Sequence, residues 1–188
     1  LPPIKVVLTG KGKVGFGAKE ILDGMKMKEV SIEKFLTKEF DEPVYVHIDV
    51  EDYYRKIDGT EGSFADFKKN PSAYESDFKK FSQVADIFIA GHFYKDGSPK
   101  ILTKEMLNHA NNTIKVVADV SCDIDGPIDS TIRVSTIADP IYGYYPRENK
   151  EVPVDHPAAV VVMAVDNLPC ELPKDEIGRA SCRERVLQ

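Results

Sequence analysis

Short apolar runs alternate along this chain with longer amphipathic stretches. Five nearly continuous apolar runs predict buried strands, because a strand that is covered on both faces has no polar face. They occupy residues 4–9, 44–49, 86–90, 114–120 and 159–165. Helices are predicted between them, over residues 14–25, 71–84 and 102–110. Strands that alternate with helices imply right-handed parallel crossovers, and therefore a doubly wound α/β domain.

Two segments fit this alternation less well. Residues 31–38 predict a short helix inserted ahead of the second strand. Residues 55–70, RKIDGTEGSFADFKKN, are polar and contain glycine, so we expect them to form a surface excursion. Thr103 is the predicted N-cap of the helix at 102–110, since Glu105 follows it closely.

Composition and charge narrow the class of protein. The 188 residues are 42% hydrophobic and 30% charged, which suits one well-cored domain. A net charge of −6 disfavours nucleic acid as a partner, because nucleic-acid binders carry basic patches. No apolar run approaches the roughly 20 residues of a membrane span, and no signal peptide is recognisable. We therefore expect no membrane partner.

The number and spacing of the cysteines indicate the redox compartment. Cys122, Cys170 and Cys182 are an odd number and show no metal-ligand spacing, so neither a disulfide framework nor a metal site is expected. We expect a reducing, cytoplasmic compartment.

The boundaries expected for the chain are 1–165 for a nucleotide-binding domain, 166–175 for the start of a return to another domain, and 176–188 for a tail. Composition shifts abruptly at residue 176 toward arginine and small polar residues. Residues 177–186 resemble one reading frame of a sequencing-adapter oligonucleotide, so the tail is expected to be non-native. The alternative is a genuine basic helical tail.

A glycine-rich loop, TGKGKVGFG, follows the first predicted strand and opens the first helix. Gly10, Gly12 and Gly15 match the dinucleotide-binding pattern G-x-G-x-x-G in the strand-to-helix context that it requires. The first glycine makes the turn, the second admits a pyrophosphate, and the third lets helix and strand pack closely. The bound phosphates then meet the helix N-terminus, where free N–H groups favour an anion. The alternative is a tight turn without a ligand.

An acidic residue at the end of the second strand would complete a dinucleotide site by binding the adenosine ribose. Asp49 is our choice, with Glu51 and Asp52 as competitors. It lies 39 positions after Gly10 (49 − 10), which is longer than usual, and the inserted helix at 31–38 accounts for the excess. A carboxylate there favours NAD over NADP, because it would repel a 2′-phosphate. A solvated surface carboxylate is the other interpretation.

Four motifs together resemble a known family. They are GKGKVGFGA, DIFIAGHFYKDGSPKILT, VVADVSCDIDGPI and AVDNLPCELPKD. Over residues 4–175 the chain resembles the nucleotide-binding half of the alanine dehydrogenase and transhydrogenase α-subunit family, most closely its lysine-forming saccharopine dehydrogenase and lysine–ketoglutarate reductase branch. The resemblance implies an NAD(P)-dependent amino-acid oxidoreductase with a Rossmann-like domain and a second, N-terminal domain across a cleft. In that branch, hydride passes between nicotinamide and the C–N bond that joins lysine to 2-oxoglutarate.

The resemblance also implies roles for individual residues. The implied cofactor-binding residues are Gly10, Gly12, Lys13, Val14, Gly15, Asp49, His92, Phe93, Asp119, Asp166, Asn167 and Leu168. Asp123, in the loop expected near the nicotinamide, is the one catalytic candidate. The family's main proton-transfer residues, a lysine and a histidine, belong to the N-terminal domain, so the fragment alone is expected to be inactive.

Other interpretations stay open at this point. Cys122 is expected to be a small packed residue rather than a nucleophile, because no partner histidine lies at a useful spacing. His109 and His156 are expected at the surface. The competing functions are an alanine dehydrogenase-like or transhydrogenase α-subunit-like domain and a non-catalytic nucleotide-binding module, and an oligomer is possible.

Overall fold

A computed structural model describes residues 1–92, 94–95 and 97–166. The described strands are β1 (Lys5–Thr9), β2 (Lys28–Glu29), β3 (Val44–Ile48), β4 (Tyr54–Lys56), β5 (Tyr74–Ser76), β6 (Ile87–Ala90), β7 (Val116–Asp119), β8 (Ile141–Tyr145), β9 (Lys150–Val152) and β10 (Val160–Met163). The described helices are α1 (Lys13–Gly24), α2 (Ile32–Thr37), α3 (Val50–Tyr53), α4 (Phe64–Lys69), α5 (Lys79–Ser82) and α6 (Lys104–Leu107), with a 3₁₀ turn at Pro71–Ala73.

Eight of the strands form one mostly parallel sheet in the order β2-β3-β1-β6-β7-β10-β8-β9. The strands from β2 to β10 in that order run parallel, and β8 and β9 add an antiparallel edge. From β1 the chain passes through α1 to β3 on one side, and it later returns to β6 on the other side. The predicted Rossmann-like α/β class is confirmed, and the strand order places a topological switch point between β1 and β6.

The two faces of the sheet pack into separate apolar clusters, as the period of two along a strand requires. Val6 and Leu8 of β1 pack with Leu22 of α1 on one face. Val7 belongs to the larger cluster on the opposite face. That cluster is rich in fully buried aromatic rings, each contributing roughly 1.5–3 kcal/mol by burial; four of them are Phe67, Phe78, Phe81 and Phe88.

The predicted helix at 71–84 is wrong. The structure has a 3₁₀ turn, then β5 paired antiparallel with β4, and only then the short helix α5. Tyr74, Phe78 and Phe81 have helical spacing, but they bury against different neighbours: Tyr74 meets Phe67 edge-on, whereas Phe78 and Phe81 contact each other. Strand pairing and tertiary packing override the local periodicity here.

The prediction of a surface excursion over residues 55–70 is wrong in part. The segment includes most of β4 and all of α4, and Phe67 in α4 is fully buried. The β8–β9 hairpin was not predicted at all. The predicted helix at 31–38 is confirmed as α2, and Thr103 caps α6 by accepting a hydrogen bond from the Met106 N–H.

Candidate functional site

At the switch point, Gly10 follows β1 and Gly91 follows β6, and the two glycines lie close together. Gly10 has a φ of +91°, a backbone conformation that residues other than glycine rarely adopt. A Cβ added at Gly10 would lie 2.4 Å from the Gly91 carbonyl oxygen. The Gly10 N–H donates to the Ile48 carbonyl (2.9 Å), and the Gly91 N–H donates to the Thr9 carbonyl (3.2 Å). The turn therefore needs glycine for backbone reasons alone.

The start of α1 differs between its two glycines. A Cβ at Gly15 would lie 1.6 Å from the Gly10 carbonyl oxygen, so this glycine permits the close packing of helix and strand. A Cβ at Gly12 would meet nothing within 4 Å. Gly12 is the N-cap, makes no side-chain cap, and no acidic residue lies in the first turn. The first N–H groups of the helix therefore have no side-chain acceptor there, which is the condition for binding an anion.

His47 of β3 holds the turn at Gly10 by a hydrogen bond. Its Nε2 lies 2.7 Å from the Gly10 carbonyl oxygen in a buried hydrogen bond. The Phe16 ring contacts the imidazole edge-on, with a centroid distance of 5.4 Å. The sequence analysis did not single out His47, because it lies within an apolar strand.

A cleft of about 450 Å³ opens at this edge of the sheet. Its described lining comprises residues 10–14, Asp49, Val50, Phe64, Gly91 and His92. The structure thus brings together the glycine loop, the predicted ribose-binding carboxylate and the predicted groove histidine. Lys11 and Lys13 are exposed at the loop and add positive charge.

Asp49 is half-buried and begins α3. Its Oδ1 accepts a hydrogen bond from the Val50 N–H (2.9 Å), and its own N–H donates to Asp52 Oδ2 (2.9 Å). Glu51 Oε1 accepts from the Phe64 N–H (3.0 Å). Of these three acids, only Asp49 lines the cleft, and both competitors hold backbone N–H groups instead.

His92 is buried at the edge of the cleft and is 7% exposed. Thr9 Oγ1 lies 2.8 Å from His92 Nδ1, and the Phe88 ring lies parallel to the imidazole at a centroid distance of 6.4 Å. Burial lowers the pKa of His92 to about 4, with Asp119 opposing the shift. The imidazole is therefore neutral at neutral pH. The predicted site residue Phe93 lies outside the described residues.

Asp119, at the end of β7, is fully buried and does not line the cleft. Its Oδ1 accepts from the Ser121 N–H (3.0 Å) and the Ser121 hydroxyl (2.6 Å). Its Oδ2 accepts from the Thr131 hydroxyl (2.6 Å). Both oxygens thus hold the loop that follows β7.

Cys122 lies in this loop with a φ of +54°. Its thiol lies 3.2 Å from the carbonyl oxygens of Asp119 and Val165, and burial raises the pKa of the thiol to about 11. Cys122 is therefore a thiol, not a thiolate, at neutral pH, as expected of a packed residue.

The remaining site predictions follow β7 and β10, the next two strands of the sheet after β6. Asp123 is exposed, and its carbonyl accepts a hydrogen bond from the Gly126 N–H (3.0 Å). Asp166 is exposed after β10. Neither lines the described cleft. Asn167, Leu168 and the expected segment 176–188 lie outside the described residues.

Comparison with known proteins finds distant relatives and no matching family model. Alpha-aminoadipic semialdehyde synthase of Arabidopsis thaliana is 27% identical over 92% of this chain and 18% of its own length. The mitochondrial alpha-aminoadipic semialdehyde synthases of Rattus norvegicus and Mus musculus are each 25% identical over 91% of this chain and 21% of theirs.

The chain is a distant homologue of these synthases. This homology supports the likeness to the saccharopine dehydrogenase-like family that the motifs indicated. The chain spans only about a fifth of the length of these synthases. The rat and mouse synthases are named as mitochondrial, and a cytoplasmic location stays a prediction. In the described part of the chain, every helix is too short or too polar to cross a membrane.

Proposed function

We propose that this chain is the NAD(H)-binding domain of an amino-acid oxidoreductase of the saccharopine dehydrogenase type. The observation that carries the proposal is the open start of α1, which faces the cleft at the switch point of a Rossmann-like sheet. Ligands of open α/β sheets bind in that crevice. The homology to alpha-aminoadipic semialdehyde synthases supports an oxidoreductase rather than another user of nucleotides.

The cleft fits a dinucleotide in two respects. The free space above Gly12, where even a Cβ would meet nothing, leaves room for a pyrophosphate against the helix N-terminus. Gly10, Gly12, Lys13, Val14 and Gly15 would surround those phosphates.

Asp49 would hold the adenosine ribose, because the carboxylate lines the same cleft and is held by backbone contacts at the start of α3. A bound NAD(H) would supply hydride transfer between its nicotinamide and the C–N bond of the substrate.

The relatives and the motifs together support one substrate class. Oxidation of a secondary amine at one of its C–N bonds gives an imine, and hydrolysis of that imine releases an amine and a carbonyl compound, which is an aldehyde or a 2-oxo acid according to which C–N bond is oxidised. An enzyme named for producing a semialdehyde is consistent with this chemistry. We therefore propose a substrate in which two amino-acid skeletons share one nitrogen, as lysine and 2-oxoglutarate do in saccharopine.

This chain's own contribution would be to seat and orient the cofactor. The neutral, buried His92 would line the cofactor groove without exchanging protons near neutral pH. Asp119 would act indirectly, since its oxygens hold the loop that carries Asp123. Asp123 would approach the reacting carbon only when the second domain closes the cleft, and the main proton-transfer groups would come from that domain.

The test is calorimetric titration of NADH into the protein and into Gly12→Val. A branched side chain at Gly12 fills space that the pyrophosphate needs, while the extended backbone there (φ −94°) accepts any residue. We expect affinity to fall at least tenfold, or about 1.4 kcal/mol, with the fold unchanged.

The matched control is Gly17→Ala, on the same helix and also in open space, which should bind NADH like the unmodified protein. Unchanged affinity in Gly12→Val would overturn the proposal.

A further inference from the structure

Phe64 stands at the cleft on a firmly held helix. It is the first residue of α4 and lines the cleft together with Asp49 and the glycine loop, and it is 37% exposed. Its N–H donates to Glu51 Oε1 (3.0 Å), which ties α4 to α3. The preceding residue, Ser63, caps the helix by accepting a hydrogen bond from the Asp66 N–H (3.2 Å). The backbone that presents the phenyl ring is therefore fixed at two points.

The rest of α4 is anchored by aromatic packing. Phe67, one turn beyond Phe64, is fully buried and stacks on Tyr54 with a centroid distance of 4.7 Å and an interplanar angle of 21°. The Tyr74 ring meets Phe67 edge-on at 5.3 Å. This cluster belongs to the main core, so the position of Phe64 does not depend on a loose surface segment.

One face of the Phe64 ring already has a neighbour. Lys68 Nζ lies over it, 4.8 Å from the ring centroid, in a cation–π contact. The contact limits the positions available to the ring. Phe64 also lines the cleft, where its side chain carries the one benzene ring among the described lining residues.

The neighbours of Phe64 indicate what the ring would bind. Asp49 and Val50 line the cleft beside it, and Asp49 is the residue proposed to hold the adenosine ribose. A base attached to that ribose would project from the sugar by one glycosidic bond. An exposed phenyl ring in the same cleft, on an anchored helix, suits a flat aromatic base, because stacking needs only parallel faces and no particular hydrogen bonds.

We infer that Phe64 is the stacking platform for the adenine ring of the bound cofactor. The inference rests on the NAD(H) binding proposed above and adds a residue that would contact the base of the cofactor. Residues 55–70 would thus form one wall of the adenine subsite, and the chain would recognise the adenosine half of the cofactor largely without the second domain.

The test compares three ligands, NADH, ADP and nicotinamide mononucleotide, by calorimetry. Phe64→Leu keeps an apolar side chain and removes the ring, so NADH and ADP should bind at least about fivefold more weakly. Nicotinamide mononucleotide lacks adenine, and its affinity should not change. Phe64→Tyr keeps the ring and should bind ADP within about twofold of the unmodified protein.

Ile57→Ala is the matched control, because Ile57 lies on the same segment, is 64% exposed and is not among the described lining residues. It should bind all three ligands normally. Unchanged ADP and NADH affinity in Phe64→Leu would overturn the inference alone. No NADH binding by the unmodified protein would instead overturn the proposed function, and the inference with it.

A second measurement needs no variant. In the unmodified protein, the adenine protons of bound ADP should show nuclear Overhauser contacts to the Phe64 ring protons. Bound ADP without such contacts would contradict the inference even if Phe64→Leu failed to fold.

Discussion

Asp49 has two roles that a substitution can separate. It begins α3 as the N-cap, and it lines the cleft where the ribose would bind. Serine is also a good N-cap, so Asp49→Ser keeps the helix start while removing the negative charge. Loss of a charge-assisted hydrogen bond costs about 1.5–3 kcal/mol, so NADH affinity should fall roughly 10- to 100-fold.

The same substitution tests the cofactor preference. Without the carboxylate, the 2′-phosphate of NADPH meets no repulsion, so the gap between NADH and NADPH should narrow. Calorimetry with both cofactors measures that gap. A clear preference of the unmodified protein for NADPH would show that Asp49 does not hold the ribose.

His92 gives a pH-dependent stability that can be measured. Its pKa of about 4 in the folded protein lies below the ordinary value of 6.5, so the unfolded chain binds more protons between these values. The stabilisation is fully present above about pH 6.5 and is lost as the pH falls toward 4. Between pH 7 and pH 5, protonation of His92 in the unfolded chain should lower the free energy of unfolding by about 2 kcal/mol.

Urea unfolding at both pH values checks this expectation. His92→Gln should reduce the loss by about 2 kcal/mol, since glutamine does not titrate. His109→Gln, at a half-exposed position, serves as the control. An equal loss in His92→Gln and the unmodified protein would mean that His92 is not held neutral by burial.

The loop after β7 depends on one buried carboxylate. Thr131→Val keeps the side-chain shape but removes the hydroxyl that donates to Asp119 Oδ2. A buried acceptor left without its donor costs about 1–3 kcal/mol, so the free energy of unfolding should fall by that amount. Thr60→Val removes a similar hydroxyl contact, to Asp58, at an exposed turn and should cost little. Equal effects of the two substitutions would show that Asp119 does not organise the loop.

Sequence patterns predicted five of the parallel strands well because each is a nearly continuous apolar run, whereas β2, two exposed charged residues, was not predicted. The helix predicted over residues 71–84 was wrong because aromatic side chains at helical spacing are also compatible with a strand followed by a short helix, when each ring packs against a different neighbour. The β8–β9 hairpin was not predicted because its strands mix tyrosine, glycine and charged residues, so they show no periodic apolar pattern.

Site residues were predicted where the signal is local in sequence and missed where it depends on long-range contacts. The glycine loop and Asp49 follow from local spacing, and the structure brings both to one cleft. Phe64 and His47 were missed because their roles depend on contacts across 13 and 37 positions of sequence, with Glu51 and Gly10. Ser63 followed by Asp66 was the available signal for α4, since a cap followed by an acid three residues later marks a helix start.

The whole molecule is proposed to provide the cofactor-binding side of a catalytic cleft. Catalysis needs both reactants to be held close together and aligned. This positioning can lower the activation barrier by roughly 7–11 kcal/mol. We therefore expect NADH binding but no saccharopine oxidation above background from this chain alone, measured by NADH absorbance.

Joined to the N-terminal domain that the resemblance implies, the chain should regain activity. In that longer protein, Asp123→Asn should lower kcat more than the affinity for NAD. Strong turnover by the isolated chain would contradict this division between the domains.

The most direct test of the central claim is a ¹⁵N NMR titration of this chain with NADH. The backbone amides of Gly10, Gly12, Lys13, Val14 and Gly15 should shift together with those of Asp49 and Phe64, because the cofactor would lie against all of them. A second cleft, between Lys115 and Arg147 near the amino ends of β7 and β10, should not respond. Shifts confined to that second cleft, or no shifts at millimolar NADH, would contradict the account.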